Sequence, residues 1–253
     1  MTGEALLEVQ GLSKFFDGVK ALDDFSSVVN RHEIVGLIGP NGAGKTTLFN
    51  ILTGFLAPDS GQVFFKGTSL VGCPPHGIAS LGVSRTFQDL RLIHRLSVLD
   101  NLLLSFRDQA GESLGGLFFR WPQCRHQENE NTSLALSLLE SVGLKEKDGE
   151  PTGDLSYGQQ KLLSLLCGLA SGAELLLLDE PVAGIAPVMI AQLLSVIRGL
   201  PNKGRTVMLI EHNIEAVMAI CHRVIFMDAG IKVSEGDPVT VRNDPRVIAA
   251  YLD

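Results

Sequence analysis

The run Gly39-Pro40-Asn41-Gly42-Ala43-Gly44-Lys45-Thr46 has the spacing G-x-x-x-x-G-K-[ST]. Its residue types suit one task, the holding of a polyphosphate. Phosphates are bulky anions, and bare backbone N–H groups reach them best where no Cβ intervenes, as Gly39, Gly42 and Gly44 permit. Lys45 would neutralise β- and γ-oxygens, and the Thr46 hydroxyl can ligate Mg2+. No Asn-Lys-x-Asp guanine-reading motif follows, which favours ATP over GTP. A second cluster closes the run Leu175-Leu176-Leu177-Leu178-Asp179-Glu180. Four apolar residues ending in two acids describe a buried strand that delivers carboxylates at its C-terminal edge. Asp179 would hold Mg2+, directly or through water. Strand alternation would turn Glu180 to the other face, where it can polarise an attacking water. General-base help of that kind is worth ~10²–10⁴-fold in rate, about 3–5 kcal/mol of barrier.

Both clusters need strands behind them. An apolar strand, 33–38, precedes the glycine loop, and a helix-compatible run, 47–52, follows it. Residues 6–10, 28–29 and 63–65 also read as strands. The stretch 97–171 reads as mostly helical, with 109–127 a Gly-rich, aromatic surface loop or insertion. Strand and helix then alternate: 175–179, a helix from Pro187, 206–210, a helix from Asn213, and 224–227. Such alternation implies a parallel sheet covered on both faces. The expectation is one α/β domain over 1–253, with a helical lobe of about 89–171 inserted in it.

Composition narrows the setting. The 253 residues are 45 % hydrophobic and 19 % charged, with a formal net charge of −7. That acidity offers no general pull toward nucleic acid, so no nucleic-acid partner is expected. Cys73, Cys124, Cys167 and Cys221 are scattered, without a C-x-x-C pair, and read as free thiols of a reducing compartment. No apolar run is long enough to span a bilayer, and Met1 to Ala5 does not begin a signal peptide.

Leu155-Ser156-Tyr157-Gly158-Gln159-Gln160 lies upstream of the acidic strand and resembles the Leu-Ser-Gly-Gly-Gln signature of ABC-type ATPases. With the glycine loop and the Leu-Leu-Asp-Glu-Pro strand in this order, the resemblance extends over essentially the whole chain. It implies a P-loop NTPase core of ABC type with an N-terminal antiparallel β lobe and an inserted helical lobe. ATP and Mg2+ are the implied cofactors. Gly39, Pro40, Asn41, Gly42, Ala43, Gly44, Lys45, Thr46 and Thr47 would line the phosphates, and Phe16 would stack on adenine. Gln88 matches the glutamine that reaches Mg2+ and the attacking water, so Thr46, Gln88 and Asp179 form the implied metal set. His212 matches the switch histidine at the γ-phosphate, which makes Glu180, His212 and Gln88 the implied catalytic group. Ser156, Gly158 and Gln159 open a helix aimed at a second anion. One nucleotide can meet both motifs only between two protomers set head to tail. Three positions depart from the pattern: Tyr157 for glycine, Ala186 for a common aspartate, and Phe16 for the commoner tyrosine.

Within the family the chain is most similar to the ATPases of branched-chain amino acid and amide (urea-type) importers. That resemblance rests on Asp179-Glu180-Pro181-Val182-Ala183-Gly184, on the residues around Gln88 and 96–102, and on the C-terminal 244–252. It implies an ATP hydrolase at the cytoplasmic face of the membrane, peripheral to integral permease subunits that dock at 89–99. The partners would include a second ATPase, identical or different, and indirectly a substrate-binding protein. An ATPase of the lipopolysaccharide-exporter type, or a soluble ABC ATPase unconnected with transport, is the alternative.

Overall fold

A computed structural model describes residues 3–86, 90–109 and 121–250, without the side chains of 121 and 122. The chain divides into two compact units, one of 1–88, 174–183 and 194–253, the other of 89–173 and 184–193.

The first unit holds two sheets. One is antiparallel, in the order β2-β1-β4-β5, from β1 (Ala5–Phe16), β2 (Val19–Asn30), β4 (Ser60–Phe65) and β5 (Thr68–Ser69). The other has the order β10-β9-β3-β8-β7-β6. Its members are β3 (Ile34–Ile38), β6 (Val83–Arg85), β7 (Leu175–Asp179), β8 (Thr206–Ile210), β9 (Arg223–Asp228) and β10 (Ile231–Gly236). All of these pair in parallel except β10, an antiparallel edge.

Period-two chemistry explains the apolar runs. Val35, Leu37, Leu175, Leu177, Met208, Ile210, Ile225 and Met227 join one core cluster with Leu48, Phe49, Ile51 and Leu52 of α1 (Lys45–Leu52) and with Phe25 and Phe65 of the antiparallel sheet. The alternate residues Leu176, Leu178, Val207, Leu209, Val224 and Phe226 are equally buried but lie outside that cluster, on the opposite face. There Gly36 meets Val217 of α7 (Ile214–Ile220) and Cys221. The first unit also carries α2 (Pro75–Leu81), α8 (Pro238–Arg242) and α9 (Pro245–Ala250).

The second unit contains α3 (Val98–Leu103), α4 (Trp121–Ser141), α5 (Tyr157–Ala170) and the first residues of α6 (Pro187–Gly199). Sequence reading ran the loop of 109–127 too far. Residues 121–127 belong to α4, because Pro122 sits in the first turn, where a missing N–H costs nothing. Residues 110–120 lie outside the described residues. One buried amide organises the approach to α3. Asn101 Oδ1 accepts from Ile93 N (2.8 Å), and its Nδ2 reaches Ile93 O (3.0 Å) and Thr152 Oγ1 (2.8 Å). Residues 90–93 are irregular and 94–96 form a turn ahead of α3.

Candidate functional site

In the order β3-β8-β7-β6, four neighbouring parallel strands end at one edge. The carboxyl ends of such strands are where open α/β sheets place ligands. They carry the glycine loop after β3, Glu211 and His212 after β8, Asp179 and Glu180 at the end of β7, and Thr86 after β6.

The glycine loop is built for an anion. Gly39 has φ 149°, and a Cβ there would lie 1.9 Å from the Met227 carbonyl oxygen of β9. Only glycine lets β3 pass that carbonyl. Gly42 has φ 82° and is exposed, with no atom within 4 Å of an added Cβ. α1 starts at Lys45 with no side-chain cap at Gly44 and no acid in its first turn, so its N–H groups and partial positive charge face the loop. Asn41, Gly42 and Thr46 are exposed, Pro40 and Thr47 half-buried, and Ala43, Gly44 and Lys45 buried. Lys45 Nζ donates to Gly39 O (2.8 Å) and Pro40 O (2.9 Å), curled onto its own loop. Burial pulls the Lys45 ammonium below the usual lysine range, while the charges of Glu180 and Asp179 hold it up. The lysine and both carboxylates thus share one electrostatic site.

The acidic strand ends as an asymmetric pair. Asp179 Oδ2 accepts from Arg85 Nη2 at 2.7 Å, with both side chains only 5 % exposed. Arg85 Nη1 also donates to Asn50 Oδ1 of α1 (2.7 Å). The Asp179 amide donates to Thr86 Oγ1 (3.3 Å). β7 stops there, and Glu180 takes φ 48° while its amide bonds Ile210 O (2.9 Å). The expectation that strand alternation aims Glu180 is therefore corrected: a left-handed kink does so, at about 1–2 kcal/mol for a residue with a Cβ. The kink brings Glu180 Oε1 to 3.3 Å from His212 Nε2. Glu211, 2 % exposed, accepts backbone N–H groups from Val182, His212 and Asn213.

Lys45, Asp179, Glu180 and His212 are thus brought together. Phe16, at the end of β1, presents a 44 % exposed ring with Lys14 Nζ 5.6 Å from its centroid. Gln88 lies outside the described residues. In the second unit Ser156 caps α5. Its hydroxyl accepts from Gln159 N and the Gln159 side chain returns to Ser156 N, a reciprocal cap that takes up both N–H groups, with Ser156 exposed and Gln159 half-buried. Gly158 lies against Met189, whose Cγ would be 3.0 Å from an added Cβ. Tyr157 is 45 % exposed, with its ring beside Gly184 and Lys161 Nζ 5.3 Å above it. Sequence reasoning gave no role to Arg85, Asn50 or Glu211. The strand that carries Arg85, β6, was not read from the sequence either, so nothing there signalled that this cation has a buried partner.

The uncapped start of α1 behind its glycine loop, with Lys45 and two carboxylates of unequal surroundings at the same sheet edge, is the arrangement of a P-loop NTPase. The profile described as "ABC transporter" matches residues 22–183, and the chain belongs to that family of ATP-hydrolysing transport ATPases. A second profile, "Branched-chain amino acid ATP-binding cassette transporter", matches 232–252. Among relatives, the high-affinity branched-chain amino acid transport ATP-binding protein LivG of Salmonella typhimurium is 39 % identical over 98 % of both chains. The corresponding protein BraF of Pseudomonas aeruginosa is 38 % identical over 98 % of this chain and 97 % of its own. A nucleotide-free ATP-binding cassette from an ABC transporter superposes with TM-score 0.84 at 32 % identity, over 98 % of this chain and 99 % of that one. An ADP conformation of such a cassette gives 0.84 at 32 % identity, over 98 % of each.

Proposed function

We propose that the chain is the ATPase subunit of an importer for branched-chain amino acids or a related small amino acid or amide. The observation that carries the motor assignment is the placing of the glycine loop, Asp179 and the Glu180–His212 pair at the carboxyl ends of the adjacent strands β3, β8 and β7. The C-terminal match at 232–252 supports the cargo.

In this reading the loop 39–47 and the α1 N-terminus bind the triphosphate, Lys45 neutralises it, and Phe16 stacks on the adenine. Thr46, Asp179 and Gln88 would hold Mg2+, which when bound offsets phosphate charge. Their hydroxyl, carboxylate and amide oxygens are the hard donors that ion takes. Glu180 accepts the proton of the attacking water. His212 contacts the γ-phosphate and keeps the Glu180 carboxylate aimed. Ser156, Gly158 and Gln159 bind the nucleotide of a partner protomer, either a second copy or a different ATPase. A ligand drives a conformational change only by preferring one state. ATP prefers the closed dimer because that state alone completes both phosphate sites, and loss of phosphate reopens it. The single cassette, with its inserted lobe at 89–171, sits at the cytoplasmic face. Residues 89–99 meet the permease subunits there, and Ile93 offers a 51 % exposed apolar side chain. Among the described residues no helix is long and apolar enough to cross a membrane, so the permease supplies the pathway.

The test is a Glu180→Gln variant, tagged and extracted from native membranes in ATP and Mg2+. It binds nucleotide and turns over ~10²-fold or more slowly, while Lys45→Ala loses nucleotide affinity. Co-purification of integral membrane subunits and a binding protein specific for branched-chain amino acids supports the importer. Recovery of lipopolysaccharide-export components, or of soluble partners alone, refutes it.

A further inference from the structure

We propose that Glu211 is a positioning residue for hydrolysis, whose buried carboxylate holds the turn carrying Glu180 and the loop carrying His212 in a single register. The inference rests on the catalytic reading of Glu180 and His212 given above.

A buried carboxylate is costly unless it is fully hydrogen-bonded. Glu211 meets that condition with backbone N–H groups from two separate segments. Oε1 accepts from Val182 N at 2.8 Å. Oε2 accepts from His212 N (3.2 Å) and Asn213 N (3.3 Å). Val182 lies two residues beyond Glu180, inside a turn closed by the Ala183 N–H on Glu180 O (3.2 Å). The left-handed Glu180 is thus fixed on one side by Ile210 O and on the other by a turn that Glu211 ties down. Asn213 caps α7 through its own side chain, so His212 is suspended between that cap and the Glu211 carboxylate. The 3.3 Å approach of His212 Nε2 to Glu180 Oε1 is the meeting point of the two segments. Only a carboxylate serves both. A glutamine has one accepting oxygen, and its NH2 group would face N–H groups on the other side.

The test uses the purified full chain with Glu211→Ala and Glu211→Gln, and with Glu180→Gln as reference. Mg-ATP affinity, binding stoichiometry, KM, kcat and Tm are read for each. Alanine lowers kcat by ~10–100-fold, the scale of a misplacement near 1 Å. ATP affinity and stoichiometry stay at wild-type values, because the glycine loop is not touched, and glutamine falls between. Wild-type kcat in both Glu211 variants, with Glu180→Gln slow, overturns the proposal. Parallel loss of kcat, affinity and stoichiometry reduces Glu211 to a fold-supporting group and overturns it as well. Should alanine fail to fold, glutamine decides by the same criteria. Should Glu180→Gln turn over at the wild-type rate, the catalytic reading itself has failed, and the proposal goes with it.

Discussion

Gly39→Ala and Gly42→Ala separate two functions that one glycine loop combines. Both residues have a φ that an alanine adopts only under strain, 149° and 82°. A residue held in such a conformation costs of order 1–3 kcal/mol. The variants therefore share that cost and differ in what the new methyl meets. At Gly39 the Cβ would sit 1.9 Å from Met227 O, so the loop or β9 must yield by more than an ångström. Forced overpacking adds about 1–3 kcal/mol. For a chain of this size that corresponds to a gap of roughly 2–12 °C in Tm between the two variants. At Gly42 nothing lies within 4 Å, so the methyl meets no protein atom; in the phosphate-binding reading it stands instead where the loop receives the anion. Loss of one charge-assisted hydrogen bond to phosphate is worth ~1.5–3 kcal/mol, roughly 10–150-fold in Kd. Thermal unfolding without nucleotide and calorimetric ATP titration, run on both variants, give the two readings. Gly39→Ala melts earlier and Gly42→Ala binds ATP more weakly. Equal Tm values, or wild-type ATP affinity in Gly42→Ala, would show that the loop is not divided in this way.

Arg85→Met leaves the Asp179 carboxylate buried without its cation, and breaking such a pair costs about 3–5 kcal/mol. Urea unfolding measures the loss. Adding Asp179→Leu recovers part of it, and no recovery would mean that Arg85 acts chiefly through Asn50. Acid stability carries a second signature. Lys66, first, and Arg31 hold the Glu174 carboxyl below its usual range. A depressed pKa stabilises the fold above the unfolded value near 4.3 and loses that contribution as pH falls through the folded value. Glu174→Gln therefore flattens the stability profile below about pH 4.3, and an unchanged acid limb in urea midpoints contradicts the assignment.

What could be read in the sequence was local. A phosphate cradle is made by consecutive backbone N–H groups, so Gly39 to Thr46 declares itself by spacing alone. The start of α5 at Ser156 was legible in the same way, whereas its cap through Gln159 came only with the structure. The apolar runs of β3, β7 and β8 announce a sheet buried on both faces. The insertion was harder, because a proline in the first turn of α4 looks like a loop until a helix is seen to follow it. The tertiary structure alone decided the partners. Arg85 meets Asp179, and Glu211 meets Val182, because β6, β7 and β8 lie side by side. Strand order is set by how the sheet packs, and chain spacing carries no record of it. The direction of Glu180 was settled in the same way. Alternation along β7 is a local rule, but it ends at Asp179, where contacts from Ile210 and Glu211 on the next strand take over.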